Sequence, residues 1–123
     1  MISDDEADLD LLDHVLECID RVEQYTEKSP IRFFQSVMVQ DASVRNLQIM
    51  AESTQRLSDA IKASEANIPW GKIAGFRNNL VHSYFDTDEN LVWIVIEKDL
   101  PPLKQAILRM KNRLVPNRKG QDQ

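Results

Sequence analysis

The sequence predicts an all-α fold, an antiparallel bundle of about five helices. Three observations carry that prediction. Only three glycines occur in 123 residues, so long stretches are free to stay helical. Apolar residues recur at spacings of three and four, which puts them on one face of a helix turning about 100° per residue. Only the segment 91–96 has strand character, and it has no second strand to pair with. At 42% hydrophobic, the chain can bury the core of one domain, expected over residues 1–116, with 117–123 a polar tail.

Asp4 or Asp5 caps the first helix, and Leu9, Leu12, Leu16 and Ile19 follow as its apolar face to about Thr26. Ser29 and Pro30 restart the chain, because proline suits the first helical position, and a short segment passes through Phe33, Phe34 and Val37. Asp41 then begins a longer helix, with Val44, Leu47, Met50, Thr54, Leu57 and Ile61 stepping along one face. Pro69 stops it and opens the next, whose stripe is Ile73, Phe76, Leu80 and Tyr84. Asp86, Thr87 and Asp88 read as a turn and a new cap before a helix over 91–96. Asp99, with Pro101 and Pro102 in the first turn, starts a final helix carrying Leu103, Ala106, Ile107, Met110 and Leu114, which Pro116 ends.

Charge and composition exclude several classes of function. A net charge of −5 disfavours a general nucleic-acid coat or a polybasic membrane binder. The longest apolar run, six residues over 91–96, is far short of the roughly 20 needed to cross a bilayer. An acidic N-terminus, where a secretion signal would be basic, and a single cysteine, Cys18, fit a reducing cytoplasm. Histidine and cysteine do not cluster at zinc spacing, so no metal site and no cofactor is expected. Lys104, Arg109, Lys111, Arg113, Arg118 and Lys119 form a basic strip without an intervening acid. It either complements a helix end or faces RNA.

The chemically dense stretch is Arg77-Asn78-Asn79-Leu80-Val81-His82-Ser83-Tyr84, an R-x4-H-x-Y pattern. Arginine is permanently charged and presents a planar donor fork that fits phosphate, while histidine titrates near neutrality and moves protons. The two together suit RNA phosphodiester cleavage, in which a base removes the 2′-hydroxyl proton and charge growing on the phosphate is stabilised. On an ideal helix Arg77 and Tyr84 lie near the apolar stripe, whereas His82 points almost opposite it. Either the helix unwinds near His82 or a second subunit completes the site. Arg77 beside an apolar stripe needs a partner, and Asp41 and Glu52 are the candidates, although each could instead pair four residues on, with Arg45 and Arg56. Asn78, four before His82, could orient its ring or simply be exposed. Trp70 and Trp93 read as packing anchors.

The wider segment resembles the HepT-like toxins of the HEPN superfamily. The resemblance rests on Pro69-Trp70, on the block from Ile73 through Phe85, on Asp88 and Trp93, and on Asp99-Leu100-Pro101. Upstream, Gln40-Asp41-Ala42-Ser43-Val44-Arg45-Asn46-Leu47 and Met50-Ala51-Glu52 follow the family's long-helix pattern, with Ala51 where a glycine is common. This resemblance, spanning about Leu9 to Ile107, implies a HEPN-type helical bundle that dimerises and acts as a metal-independent endoribonuclease. It implies the toxin of a type VII toxin–antitoxin pair, with Arg77 and His82 catalytic. Tyr84 matches the tyrosine to which a minimal, MntA-like nucleotidyltransferase antitoxin transfers AMP from ATP. Two other readings compete: a non-catalytic subunit that docks a nucleotidyltransferase or binds a nucleotide, and a purely structural bundle.

Overall fold

Helix α1 (Asp4–Thr26) opens with Asp4, Asp5 and Glu6 in its first turn, where the positive end of the helix dipole favours acids. It buries Leu9, Leu12, Val15, Cys18, Ile19 and Val22 along one face. The computed structural model describes residues 4–82 and 87–121, with side chains through 115. Within those residues α1 lies against α3 (Val37–Gln55) and α7 (Leu100–Gln121). Each fully buried aliphatic side chain there contributes about 1.5–3 kcal/mol relative to exposure.

The end of α1 is built by side chains rather than by glycine. Thr26 donates its hydroxyl to the Val22 carbonyl at 2.9 Å, and Glu27 and Lys28 turn the chain with φ of 53° and 57°. Ser29 then caps α2 (Pro30–Gln35) by accepting from the Arg32 N–H. Ser36, extended at φ −126°, ends α2 and caps α3 by accepting from Val39 N–H at 3.1 Å. Helix α3 therefore begins at Val37, four residues ahead of the expected Asp41, because a serine hydroxyl stands ready to receive that N–H.

Helix α3 also stops early. Asp8, buried on α1, accepts from the Ser58 N–H at 2.9 Å and from its hydroxyl at 2.6 Å. Those bonds pull Ser58 out of helix and make it the cap of α4 (Asp59–Ala63), so Leu57 and Ile61 reach the core from a turn and a second helix. Trp70 opens α5 (Trp70–His82), and its indole N–H is shared between the Lys62 and Glu65 carbonyls at 3.1 and 3.2 Å.

Asp88 caps α6 (Glu89–Ile94), which confirms helix for 91–96. The expected restart at Asp99 does not occur. A π-turn over Val95–Asp99 joins α6 to α7, and Leu100 N–H reaches back five residues to the Val95 carbonyl. Pro101 and Pro102 lack the N–H groups an α-helix would use, and their rings would strike the preceding turn, which the wider π-turn opens. Helix α7 also continues past Pro116 to Gln121. That proline removes a single backbone bond, to the carbonyl of exposed Asn112, which water can meet.

The core gathers Phe33, Leu47, Met50, Leu80, Val92, Trp93, Ile107 and Met110 with the α1 face. Phe33 stacks 5.4 Å from Trp93, and both tryptophans act as packing anchors. The fold is all-α, and among the described residues there is no strand. Among them, too, no helix is long and apolar enough to cross a membrane.

Candidate active site

Helix α5 carries the motif and contacts the bundle mainly through α3. Its inner stripe is Ile73, Phe76 and buried Leu80, and Arg77 stands at the edge of that stripe. There the guanidinium meets Glu52 of α3: Nε and Nη2 both donate to Glu52 Oε1, at 3.3 and 3.2 Å. Nη1 donates to Asn78 Oδ1 at 3.1 Å. Gln48, one turn before Glu52, donates its amide to the same Oε1 at 3.2 Å. The Arg77 side chain is 31% exposed, so its remaining Nη1 and Nη2 hydrogens form an open fork of the kind that grips a phosphate.

Of the two expected acidic partners, Glu52 takes Arg77, and it does so in place of a pair with Arg56. Asp41 lines a neighbouring cavity instead and forms no ion pair with a described residue. Gln48 was not singled out in the sequence. Its signal was the shared face with Glu52 at a spacing of four on α3.

His82 is the last residue of α5, exposed, with no hydrogen bond to a described residue. The helix does not unwind ahead of it. Five residues of regular helix turn His82 about 140° from Arg77, so one copy of α5 does not converge both groups on one point. Asn78 shares the side of His82 and spends its carbonyl oxygen on Arg77. Tyr84 lies outside the described residues. On the face of His82 stand Gly71 and Gly75, and neither has a heavy atom within 4 Å of where a Cβ would be.

The basic strip on α7 is occupied in its described part. Lys104 pairs with Glu23 at 3.0 Å and Asp20 at 3.5 Å, and Lys111 with Asp13 at 2.6 Å. Arg109 and Arg113 close on the two oxygens of Glu65. Their hydrogen bonds, Arg109 first, hold the Glu65 carboxyl down at about 2. These cations tie α7 to α1 and to the α4–α5 connection, so the strip clamps the bundle. Among the described residues no group of three or more His, Cys, Asp or Glu stands where it could hold a metal ion.

The family described as Ribonuclease HepT-like matches residues 15–110, a span that takes in α5 and its Arg77-to-His82 motif. The chain belongs to the HepT-like family. The family resemblance read from the wider segment is confirmed, and membership places the chain among ribonucleases with an all-α bundle of the HEPN type.

Among its relatives, a "probable ribonuclease HepT" of Thermococcus cleftensis is 30% identical over 103 residues, covering 83% of this chain and 94% of that protein. A "gamma-glutamylcyclotransferase and putative RNase" of Methanocaldococcus jannaschii is 37% identical over 108 residues. The match takes 87% of this chain but 49% of that protein, so the HepT-like chain spans about half its length. A "putative RNase" of Caldanaerobacter subterraneus subsp. tengcongensis is 31% identical over 97 residues, covering 78% of this chain and 87% of that protein. No solved structure matches.

Proposed function

We propose that this HepT-like chain is a metal-independent endoribonuclease of the cytoplasm, the toxin of a type VII toxin–antitoxin pair. The observation that carries the reading is the partly exposed Arg77 fork, aimed by Glu52 of α3 and by Asn78, on the helix that ends in His82. Arg77 holds the scissile phosphate through its two open N–H groups. His82 moves protons: one is taken from the 2′-hydroxyl as that oxygen bonds to phosphorus, and one is given to the 5′-oxygen as its bond to phosphorus breaks. A cyclic phosphate and a free 5′-hydroxyl result.

The reading includes a homodimer. Because α5 stays helical through His82, the site needs groups from a second copy to surround one phosphate. The open face of Gly71 and Gly75 supports this, since helical glycine costs about 1 kcal/mol and close helix–helix approach is a use for it.

The reading also includes a nucleotidyltransferase antitoxin that moves AMP from ATP to the Tyr84 hydroxyl, with pyrophosphate leaving. Added phosphate two residues from His82 would repel the RNA backbone. Exposed Leu91 and Ile94 on α6, with the exposed Phe34 ring 6.3 Å from that of Trp93, give a protein partner an apolar surface.

The test is incubation of unmodified protein with total RNA in chelator, beside Arg77→Ala and His82→Ala. Cleavage by the wild type, with the His82→Ala rate lower by about 10²–10⁴, is expected. RNA left intact by the wild type would turn the assignment to a non-catalytic docking subunit.

A further inference from the structure

Beside the Arg77 network, α3, the last turn of α5 and the start of α6 border an open cavity of about 490 Å³. Its floor includes buried Leu80 and Val92, and its polar lining is Gln40, Asp41, Arg45, Gln48, Thr87 and Glu89. The volume falls in the range of about 300–1,000 Å³ typical of small-molecule sites.

The charged groups are left available by the fold. Asp41 and Arg45 stand four apart on α3, yet neither forms an ion pair with a described residue, and the same is true of Glu89. Gln48 gives one amide N–H to Glu52, which leaves its side-chain carbonyl oxygen and a second N–H to offer a ligand. The lining therefore presents two carboxylates and the Gln48 amide oxygen as acceptors, with the Arg45 guanidinium and one Gln48 N–H as donors, while Gln40 spends its amide N–H groups on the Phe33 and Phe34 carbonyls and keeps its oxygen as a further acceptor.

That inventory selects the ligand. Two carboxylates repel a phosphate, so the cavity suits a neutral group rich in N–H donors. Guanine is the RNA base with two adjacent donors on one edge, N1–H and the N2 amino group, which a carboxylate accepts as a pair. Its O6 and N7 are acceptors that arginine meets bidentately. The apolar floor supplies a surface for the ring, and single-stranded RNA is read in this way, with bases splayed into protein pockets.

We propose that this cavity binds a guanine base of the RNA substrate, with Asp41 or Glu89 taking the donor edge and Arg45 the acceptor edge. The inference rests on the ribonuclease reading for its link to RNA. Gln48 supplies the physical connection: it lines the cavity and bonds the Glu52 oxygen that holds Arg77, so base and phosphate are bound side by side.

Two readouts test it on the full chain. In the first, guanosine, adenosine, cytidine and uridine are titrated separately and followed by amide NMR. Guanosine is expected to shift resonances of residues 41–48 and to bind about tenfold more tightly than the others. Asp41→Asn or Glu89→Gln should remove most of that preference, since a bidentate base contact discriminates by about five- to 150-fold. Both positions are exposed, so the variants keep the core intact. Equal binding of the four nucleosides, or a preference unchanged in both variants, overturns the proposal. In the second, the ends of RNA fragments are sequenced. Guanine enriched at a fixed position from the cut, and less enriched in the variants, supports it, whereas cleavage without base enrichment overturns it. If RNA stays intact while guanosine binds selectively, the ribonuclease reading fails and the guanine site stands.

Discussion

Replacing Glu65 by glutamine should cost stability without costing catalysis. Its side chain is 9% exposed, with Arg109 Nη2 at 2.7 Å and Arg113 Nη1 at 2.5 Å. Hydrogen bonds from Arg109 and then Arg113 lower its carboxyl from 4.5 to about 2. At about 1.4 kcal/mol per pH unit, that difference alone would be about 3 kcal/mol. The guanidinium side chains are 53% and 43% exposed, so water screens the pair, and about 1–2 kcal/mol is the expected net loss in Glu65→Gln at pH 7. In a melting experiment this is a fall of roughly 3–8 °C.

The pH dependence has a definite sign. The folded carboxyl is the stronger acid, so its contribution is whole above the ordinary value of 4.5 and fades as pH drops toward about 2. Urea unfolding of wild type and Glu65→Gln across that window should show the stability gap closing. A gap as large near pH 2 as at pH 7, or no gap at pH 7, would refute the reasoning. RNA cleavage per folded molecule should be the same in both proteins. Faster cleavage once Arg109 and Arg113 are released would show instead that these arginines serve RNA.

Mass spectrometry after incubation with ATP and the partner enzyme should find AMP on Tyr84 and none on Tyr25. Modification confined to another residue would defeat the assignment. Gly75→Gln should gain up to about 1 kcal/mol of helix propensity, because no atom crowds the site, and should shift the protein toward monomer. Light scattering coupled to gel filtration reads the mass, and a dimer unchanged by that side chain would place the interface away from this face.

Much of the bundle is legible in the sequence because local rules decide it. The 3-4 spacing from Leu9 to Ile19 and the Ser29–Pro30 cap each state their own structure, and the fold agrees with both. What the spacing misplaces are ends set by distant groups. Leu57 and Ile61 continue the rhythm of α3, yet Asp8, fifty residues earlier, captures Ser58 and breaks the helix between Gln55 and Asp59. Asp99 resembles a cap followed by prolines, but Val92 and Trp93 on α6 and Ile96 within the π-turn are all buried, and the helix widens rather than stops.

The site divides in the same way. Arg77 and its candidate Glu52 could be chosen from residue type and helical phase, and the two do meet. The bond from Gln48 depends on where α3 stands against α5, which no local pattern encodes. The basic strip misleads for a related reason: a run of cations on α7 looks free until α1 and Glu65 supply acids from elsewhere in the chain.

The π-turn between α6 and α7 makes chain length negotiable at one place. Val92, Ile96 and Leu100 are spaced by four, which on a regular helix would drift about 40° per step away from the core. The wide turn absorbs that drift, so the residues after it keep their inward phase. Removing one residue from 95–99 would restore a regular helix and leave Leu103, Ile107 and Met110 facing the core as before. The cost would fall on Pro101 and Pro102, whose rings would then collide with the turn beneath them. The extra residue and the two prolines therefore form a single unit of inheritance: a relative that shortens this helix by one residue is expected to have given up the prolines as well.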